Sequence, residues 1–369
     1  MHTSRRLDDR EMALKRQNRI YFQISGAGHE AVQVAAGMAL SSGHDWFYPY
    51  YSDRALCLTL GVTPHEMLQQ AVGAAADPAS GGRQMPSHWG HSDYHIVSSS
   101  SPTGTQFSQA VGCAEASRYH DAASDEVTLV CSGEGATSQG EFWEALHLAS
   151  LERLPVLFLV EDNGYAISVP VEAQTPGGSI SALTASVPGL FRQEVDGTDF
   201  LASFRTMREA ARHCRQGLGP ALVHARCIRR YSHSLSDDER LYRTAAEREG
   251  ESARDPVLLF PKLLIDEGVM DRRMLQNIAF EIDEEIERAT QQALHDAPPS
   301  ASSALTHLYS ETVDPTSEAF SAEPHFGGAP MTMVDLINAT LREECGAIRT
   351  SWCSARTWPI ARAKPTCAR

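Results

Sequence analysis

The sequence predicts an α/β fold with a doubly wound, mostly parallel sheet. Three short segments are nearly continuous apolar runs, as expected for parallel strands that helices cover on both faces. These segments are VTLVCSG at 127–133, PVLFLVEDN at 155–163 and ALVHARC at 221–227. A helical pattern at 141–154 separates the first two segments. Strand, helix and strand therefore form a βαβ unit, for which a right-handed crossover is expected.

The spacing of apolar residues predicts helices in most of the remaining chain. In chain order, they cover 8–22, 29–40, 64–75, 105–120, 200–214, 255–268 and 274–296. The segment from 77 to 101 has no such pattern and is rich in Gly, Ser, His and Pro. Irregular segments of this length inside a domain usually have a function, so we expect this loop to border a site.

The composition is typical of a globular protein with a sizeable core. The 369 residues are 42% hydrophobic and 21% charged, and their number allows one large domain or two of ordinary size. No apolar run is long enough to span a membrane, and the N-terminus lacks the apolar core of a secretory signal. The eight cysteines form no CxxC pair, which indicates reduced thiols. We expect a cytoplasmic protein without a membrane partner.

The formal net charge of -15 argues against nucleic acid as a partner. This charge is unevenly distributed along the chain. The last 25 residues contain five Lys or Arg and no Asp or Glu, whereas the preceding residues contain 27 basic and 47 acidic ones. The abrupt change marks the C-terminal end as a separate segment.

Polar residues follow two of the predicted strands at the point where each strand ends. The first strand runs into SGEGA and the second into EDNGY. Ligands of open α/β sheets bind beyond the carboxyl ends of the strands, and the βαβ crossover brings both turns to one edge. A carboxylate from Glu134 and a carboxamide from Asn163 are oxygen ligands that suit Mg²⁺. A helix that opens at Ala136 would add N–H groups for phosphate oxygens.

A simpler interpretation treats each turn alone. Glu134 would then be an acidic residue at the start of a helix, and Asp-Asn-Gly would be an ordinary turn. The occurrence of both turns at βαβ spacing favours the cation site.

Together with other segments of the chain, these motifs resemble those of a known family. GEG, then 26 residues, then DN is similar to the thiamine diphosphate signature, which is written more often as GDG and NN. Further segments resemble, in order, the α subunit of the E1 component of 2-oxoacid dehydrogenases, branched-chain or pyruvate type. They are FQISGAGHEAVQVAAGM, YPYYSDRALCLTLG, QMPSHWG, SSPTGTQFSQAVGCAEA, EDNGYAISVPVE and YSHSLSDDERLYR. The resemblance extends over roughly residues 8 to 310 and implies the thiamine-diphosphate-binding fold.

The resemblance implies a role for each site residue. Mg²⁺ would be held against the cofactor's diphosphate by Glu134, Asn163 and the Tyr165 carbonyl. His233 and Tyr51 would be the catalytic residues, and His233 would reach the diphosphate and the reaction centre. The cofactor contacts would come from Tyr51, Ser101, Thr103, Gly133, Gly135, Ala136, Gly164, Ile167 and His233.

Two residues depart from the family pattern and predict weaker cofactor binding. Ser52 stands where the family commonly has a phosphate-binding arginine, and Glu161 stands where animal members have another. Each lost charge-assisted hydrogen bond would cost roughly 1.5–3 kcal/mol. Arg54 is a candidate replacement for the first arginine.

Two further metal sites are considered. Ser100, Pro102, Thr105 and Gln106 match a small K⁺ site of some relatives. His88, His91 and His95 lie within eight residues, a spacing that zinc could use and that would favour a metal-dependent hydrolase. The resemblance instead places that loop near the mouth of the active site.

The family implies partners that this sequence does not contain. A glutamate of the β half activates the cofactor in relatives, and no such glutamate is identifiable here. The implied partners are an E1 β subunit or β domain, the lipoyl domain of E2 and a small 2-oxo acid. The implied assembly is a dimer or an α₂β₂ heterotetramer. The alternative is a catalytically silent fragment that binds cofactor or self-associates without turnover.

The resemblance also divides the chain into segments. Residues 1–296 would form the α-type cofactor-binding domain, 297–330 a connector rich in Pro, Ser and Gly, and 331–344 the opening helix of a β-type domain. Back-translation of 345–369 with GC-rich codons, shifted by one base, gives a string similar to the next strand of β subunits. We therefore interpret 345–369 as an out-of-frame tail, expected to be disordered and functionally silent. An intact reading frame in the gene at this point would contradict that interpretation.

Overall fold

A computed structural model describes residues 1–306, 308, 310, 312–314, 316–318, 321 and 330–347 of the chain. The strands in this part are β1 (Trp46–Tyr48), β2 (Thr128–Gly133), β3 (Val156–Asp162), β4 (Tyr165–Ala166), β5 (Val169–Pro170), β6 (Phe191–Asp196) and β7 (Ala221–Arg226). Five of them form one sheet in the order β1–β2–β3–β7–β6, and every neighbouring pair is parallel. Strands β4 and β5 form a separate antiparallel pair. The predicted fold class is confirmed.

Helices lie on both faces of the sheet. The helices in the described residues are α1 (His2–Arg16), α2 (Glu30–Ala39), α3 (Arg54–Leu60), α4 (Pro64–Val72), α5 (Thr105–His120), α6 (Gly140–Glu152), α7 (Val171–Gln174), α8 (Ile180–Leu183), α9 (Phe200–Arg215), α10 (Ala245–Ser252), α11 (Pro256–Asp266), α12 (Arg272–His295) and, in a separate part of the chain, α13 (Met333–Ala347). None of them combines the length and the apolar character that crossing a membrane requires.

The core consists of two hydrophobic clusters, one on each face of the sheet. Alternate residues of a strand point to opposite faces, so Leu129 and Leu157 join one cluster while Val130 and Phe158 join the other. Helices α1–α4, α9 and α12 pack on the first face, and α5 and α6 pack on the second. Both faces are therefore covered, which explains why the central strands are continuously apolar.

Within the five-stranded sheet, the strands that the sequence did not predict are the two at its edges. β1 has three residues and lies within an aromatic run. β6 pairs with one strand only, and its exposed residues alternate with more buried ones because successive side chains point to opposite faces of the sheet. A short strand and an alternating edge strand both lack the apolar run that identifies β2, β3 and β7.

The first predicted helix is placed differently in the structure. The prediction covers 8–22, whereas α1 begins at His2 and ends at Arg16. Asn18 has a φ of 56°, a left-handed conformation that ends the helix and redirects the chain. Ile20 then enters the core as part of the following segment, with 1% of its surface exposed.

The chain divides into two compact units, the first of which is Met1–Ala304. In the second unit, α13 is a helix where one was predicted over 331–344. The predicted connector at 297–330 is only partly described, and the predicted out-of-frame tail lies outside the described residues from 348 onward. The assignments of these segments stay predictions.

Register within the sheet places the two polar turns side by side. Gly133 at the end of β2 pairs with Glu161 near the end of β3. Glu134 and Asp162 are the next residues of their chains, so both turns leave the sheet at one edge. The site is therefore positioned by the register of two buried strands.

A buried ion pair joins α1 to α3 on the face of the sheet where both helices pack. Arg54 is 1% exposed, and its guanidinium donates to both carboxylate oxygens of Glu11 at 2.7 and 2.6 Å. Asp8 lies further away, at 3.5 Å from the same guanidinium. Glu11 is thus the main compensation for a fully buried charge.

Replacing Glu11 by alanine should lower the free energy of unfolding by about 3–5 kcal/mol, because it leaves the buried Arg54 charge largely uncompensated. Glu287→Ala breaks the partly exposed pair with Arg10 and should cost at most about 1 kcal/mol. Urea denaturation of both variants measures the difference. Equal losses in the two variants would contradict this account of the α1–α3 contact.

Candidate active site

A cavity of about 470 Å³ opens at the edge of the sheet where β2 and β3 end. It is lined by eleven of the twelve residues predicted for the cofactor and metal sites. They are Tyr51, Ser101, Thr103, Gly133, Glu134, Gly135, Ala136, Asn163, Tyr165, Ile167 and His233. Gly164 is the exception, because it forms the turn behind them with a φ of 83° and accepts a backbone hydrogen bond from Val171.

Glu134 has an incompletely paired carboxylate although only 2% of its surface is exposed. Its Oε2 accepts a long hydrogen bond, 3.4 Å, from the backbone N–H of Asn163. Within the described residues, no donor reaches Oε1. Burial and the nearby Asp162 charge raise the pKa of Glu134 to about 7. A cation would remove this penalty, since a buried carboxylate without a donor is costly.

Asn163 follows β3 and presents its side chain at the same place. Its Oδ1 accepts a hydrogen bond from the backbone N–H of Tyr165 at 3.2 Å, and its Nδ2 lies 3.1 Å from His29 Nε2. The amide oxygen retains a second lone pair. An unpaired carboxylate oxygen and a carboxamide oxygen are the donors that Mg²⁺ prefers, so the residues present fit the predicted ion.

The turn after β2 packs closely against the β4 segment. A Cβ atom on Gly135 would lie 2.6 Å from the Cβ of Ala166, so only glycine fits here. The segment Glu134–Ser138 is a 3₁₀ helix, and α6 begins only at Gly140. The prediction of a helix that opens at Ala136 is therefore wrong, because Gln139 is extended and interrupts the helix.

The two predicted catalytic residues contact each other at the cavity. The rings of Tyr51 and His233 meet edge to face, with centroids 5.6 Å apart. Burial and the Arg229 charge lower the pKa of His233, so the neutral imidazole predominates at neutral pH. Burial of its hydroxyl and the Glu134 charge raise the pKa of Tyr51 to about 12. His233 can therefore accept or donate a proton, whereas Tyr51 acts only as a neutral hydroxyl.

The remaining predicted contacts lie on loops around the opening. Ser101 and Thr103 are exposed, and Ser101 Oγ lies 2.7 Å from His88 Nε2. Ile167 has a φ of 57°, which is strained for a β-branched residue. Its carbonyl accepts a hydrogen bond of 2.6 Å from Arg229. That bond holds the strained backbone in place at the cavity wall.

Comparison with known proteins identifies the family to which this site belongs. A family model described as dehydrogenase E1 component matches residues 1–302. The chain belongs to the dehydrogenase E1 component family.

Individual relatives cover most of the chain. It is 37% identical over 313 residues to 2-oxoisovalerate dehydrogenase subunit alpha of Bacillus subtilis, covering 84% of this chain and 93% of the relative. It is 33% identical to 3-methyl-2-oxobutanoate dehydrogenase subunit alpha of Mycobacterium tuberculosis, covering 84% and 81%. It is 29% identical to the pyruvate dehydrogenase E1 component subunit alpha of Mycoplasma genitalium, covering 84% and 83%. The predicted resemblance to E1 α subunits is confirmed.

Membership of the E1 family implies thiamine diphosphate as the cofactor. The relatives are named as α subunits, which implies a partner subunit. The roles predicted for individual residues at the cavity stay predictions, although the structure brings those residues together.

The two departures from the E1 pattern have different structural settings. Ser52 lines the cavity, so a serine hydroxyl stands at the position where the resemblance implies an arginine. Arg54 does not replace it, because its guanidinium is bound to Glu11 away from the cavity. Glu161 is fully buried behind the cavity and hydrogen-bonds His29 and Gln33.

The cavity residues that were not predicted include Arg229 and His29. Arg229 is 6% exposed and, among the described residues, its guanidinium has no carboxylate partner; it donates to Ile167 and Tyr242. His29 lies just before α2 and contacts Asn163. For His29 the available signal was a His-Glu pair and Gln33 at the start of an otherwise apolar helix, HEAVQVAAG. Side chains of that kind are rarely buried without a polar partner.

The loop histidines do not form a ligand cluster. His88 contacts Ser101, His91 pairs with Glu66 at 3.5 Å, and His95 stacks on Trp46. The groups of potential ligands found in the described residues do not include them. The geometry therefore gives no support to a zinc hydrolase.

Without divalent ions, Glu134→Gln should stabilise the protein at pH 8 by up to roughly 3 kcal/mol. Folding raises the pKa of Glu134 from its usual 4.5 to about 7. The folded state therefore favours the protonated form, and the wild-type protein loses stability as the pH rises from 4.5 through 7. At pH 4.5 the variant and the wild-type protein should be equally stable.

Urea denaturation in EDTA at both pH values measures this effect. Glu141→Gln is the control, because Glu141 is an exposed acid in the first turn of α6. A stability difference for Glu134→Gln that does not change with pH would contradict the assignment.

Proposed function

We propose that this chain is the α component of a 2-oxoacid dehydrogenase, which binds thiamine diphosphate through Mg²⁺. The observation that carries the proposal is the buried Glu134 carboxylate, whose Oε1 has no donor in the described structure. Together with Asn163, it offers oxygen ligands in a cavity where the family's cofactor is expected. The Tyr165 carbonyl would supply the third protein ligand.

The proposed reaction is oxidative decarboxylation of a small 2-oxo acid, followed by acyl transfer to a lipoyl group of E2. When bound, thiamine diphosphate supplies the carbanion chemistry. The chain's own residues would bind the diphosphate around Gly135 and Ala136 and hold the cation. His233 would exchange protons at the cavity as a neutral imidazole. The substrate is a branched-chain 2-oxo acid or pyruvate, the two classes named for the relatives.

A second ion fits the loop before α5. Ser100 Oγ lies 2.6 Å from Thr105 Oγ1, which also lies 3.1 Å from the Pro102 carbonyl oxygen. Gln106 uses its Oε1 for the Gly104 N–H. Three oxygens already gather in this turn, which supports a K⁺ site that would order the Ser101–Thr103 segment.

The proposed assembly joins this chain to an E1 β subunit or domain in the cytoplasm, as a dimer or an α₂β₂ heterotetramer. No residue at the cavity is assigned the role of the activating glutamate, which the β half supplies in the family. The second candidate function is a silent fragment that binds cofactor without turnover. Apolar residues of α13, including Met333 and Leu336, are exposed, which supports the proposal of a partner.

The proposal predicts CO₂ release from a 2-oxo acid when the chain is combined with a β subunit, thiamine diphosphate and Mg²⁺. The chain alone should show no turnover, because the activating group is absent. Glu134→Gln should lower the rate of the complex at least about 100-fold, since it removes a cation ligand. Glu141→Gln should leave the rate unchanged.

Comparing 2-oxoisovalerate with pyruvate in this assay identifies the substrate class. Turnover by the isolated chain, or a rate that is independent of Mg²⁺, would contradict the proposed mechanism. Cofactor binding without turnover in the presence of the β subunit would favour the silent fragment.

A further inference from the structure

A buried histidine to which the proposed function gives no role lies behind Asn163. His29 is 3% exposed and lines the cavity. Its Nε2 lies 3.1 Å from Asn163 Nδ2. A carboxamide nitrogen can only donate, so His29 Nε2 is the acceptor and carries no proton in this contact.

The other ring nitrogen of His29 is the donor. Nδ1 lies 2.8 Å from Glu161 Oε2. The same oxygen also accepts from Gln33 Nε2 at 2.9 Å and from the Tyr50 hydroxyl at 3.4 Å, and the oxygen of that hydroxyl lies 3.0 Å from His29 Nδ1. An oxygen that faces three donors acts as an acceptor. In these contacts Nδ1 carries the proton and donates it to Glu161, and Nε2 accepts from Asn163.

Both ends of the Asn163 side chain are consequently fixed. Nδ2 donates to His29, and Oδ1 accepts from the Tyr165 N–H at 3.2 Å. A carboxamide turned by half a rotation would present nitrogen instead of oxygen, and an amide nitrogen is not a ligand for Mg²⁺. The acceptor behind Asn163 therefore decides which atom is available to a cation.

We propose that His29 is a positioning residue for the cation site, acting through Asn163. Its unprotonated Nε2 holds the Asn163 Nδ2, which keeps Oδ1 available as a ligand beside Glu134. Glu161 fixes the imidazole tautomer by accepting from Nδ1. This inference rests on the proposed Mg²⁺ site and adds a residue that acts on the cation through Asn163.

The test measures Mn²⁺ affinity by electron paramagnetic resonance, in the complex with thiamine diphosphate and a β subunit. His29→Leu should weaken Mn²⁺ binding 10- to 100-fold, the usual effect of removing a group that orients a metal ligand. His29→Gln supplies an amide oxygen as acceptor and should bind Mn²⁺ within about threefold of the wild-type protein. His91→Leu, at a histidine paired with Glu66 and outside the cavity lining, should bind like the wild-type protein.

The outcomes separate this inference from the proposed function. If His29→Leu binds Mn²⁺ like the wild-type protein while Glu134→Gln does not, the role of His29 is wrong and the cation site stands. If the wild-type complex binds no Mn²⁺, the proposed function fails, and the inference fails with it.

A second measurement does not depend on the folding of the leucine variant. Nitrogen NMR of protein labelled with ¹⁵N-histidine should show one ring with Nδ1 protonated and Nε2 unprotonated, and this signal should be absent from His29→Gln. A His29 signal with the proton on Nε2 would overturn the inference.

Discussion

The Glu134 carboxylate is the constraint on which the rest of the site depends, because burial leaves its Oε1 without a donor in the described structure. Removing a carboxylate from water without a partner costs several kcal/mol, and a protein normally avoids it by pairing or protonation. Here the fold places Asp162 nearby and thereby raises the penalty. The buried negative charges of Glu134 and Asp162 are unfavourable in the empty site. A bound cation would compensate them and could also bind a diphosphate.

The sheet makes this arrangement possible at low cost in backbone strain. β2 and β3 are parallel, buried and in fixed register. Glu134 and Asn163, which follow their carboxyl ends, therefore lie side by side. Behind them, His29 and Glu161 form a buried polar layer between the strands and α2. Both residues are buried, so they can keep one tautomer of His29 and one amide orientation of Asn163.

Much of this could be predicted from the sequence because the signals are local. The apolar runs of β2, β3 and β7 are visible in single windows, and the polar turns follow them directly. β6 could not be found in this way, since an edge strand shares its alternating pattern with amphipathic surface segments. The buried position of Arg54 could not be predicted from the neighbouring sequence either, because its ion-pair partner Glu11 is 43 residues away. His29 was missed for the same reason: its meaning comes from Asn163, 134 residues along the chain.

The central claim is that cofactor binding depends on a cation held by this turn. Calorimetric titration of the chain and its partner subunit with thiamine diphosphate, in Mg²⁺ and again in EDTA, tests it most directly. The account predicts saturable binding with Mg²⁺ that is lost in EDTA. Absence of binding in the presence of Mg²⁺ and the partner, or equal affinity in EDTA, would contradict it.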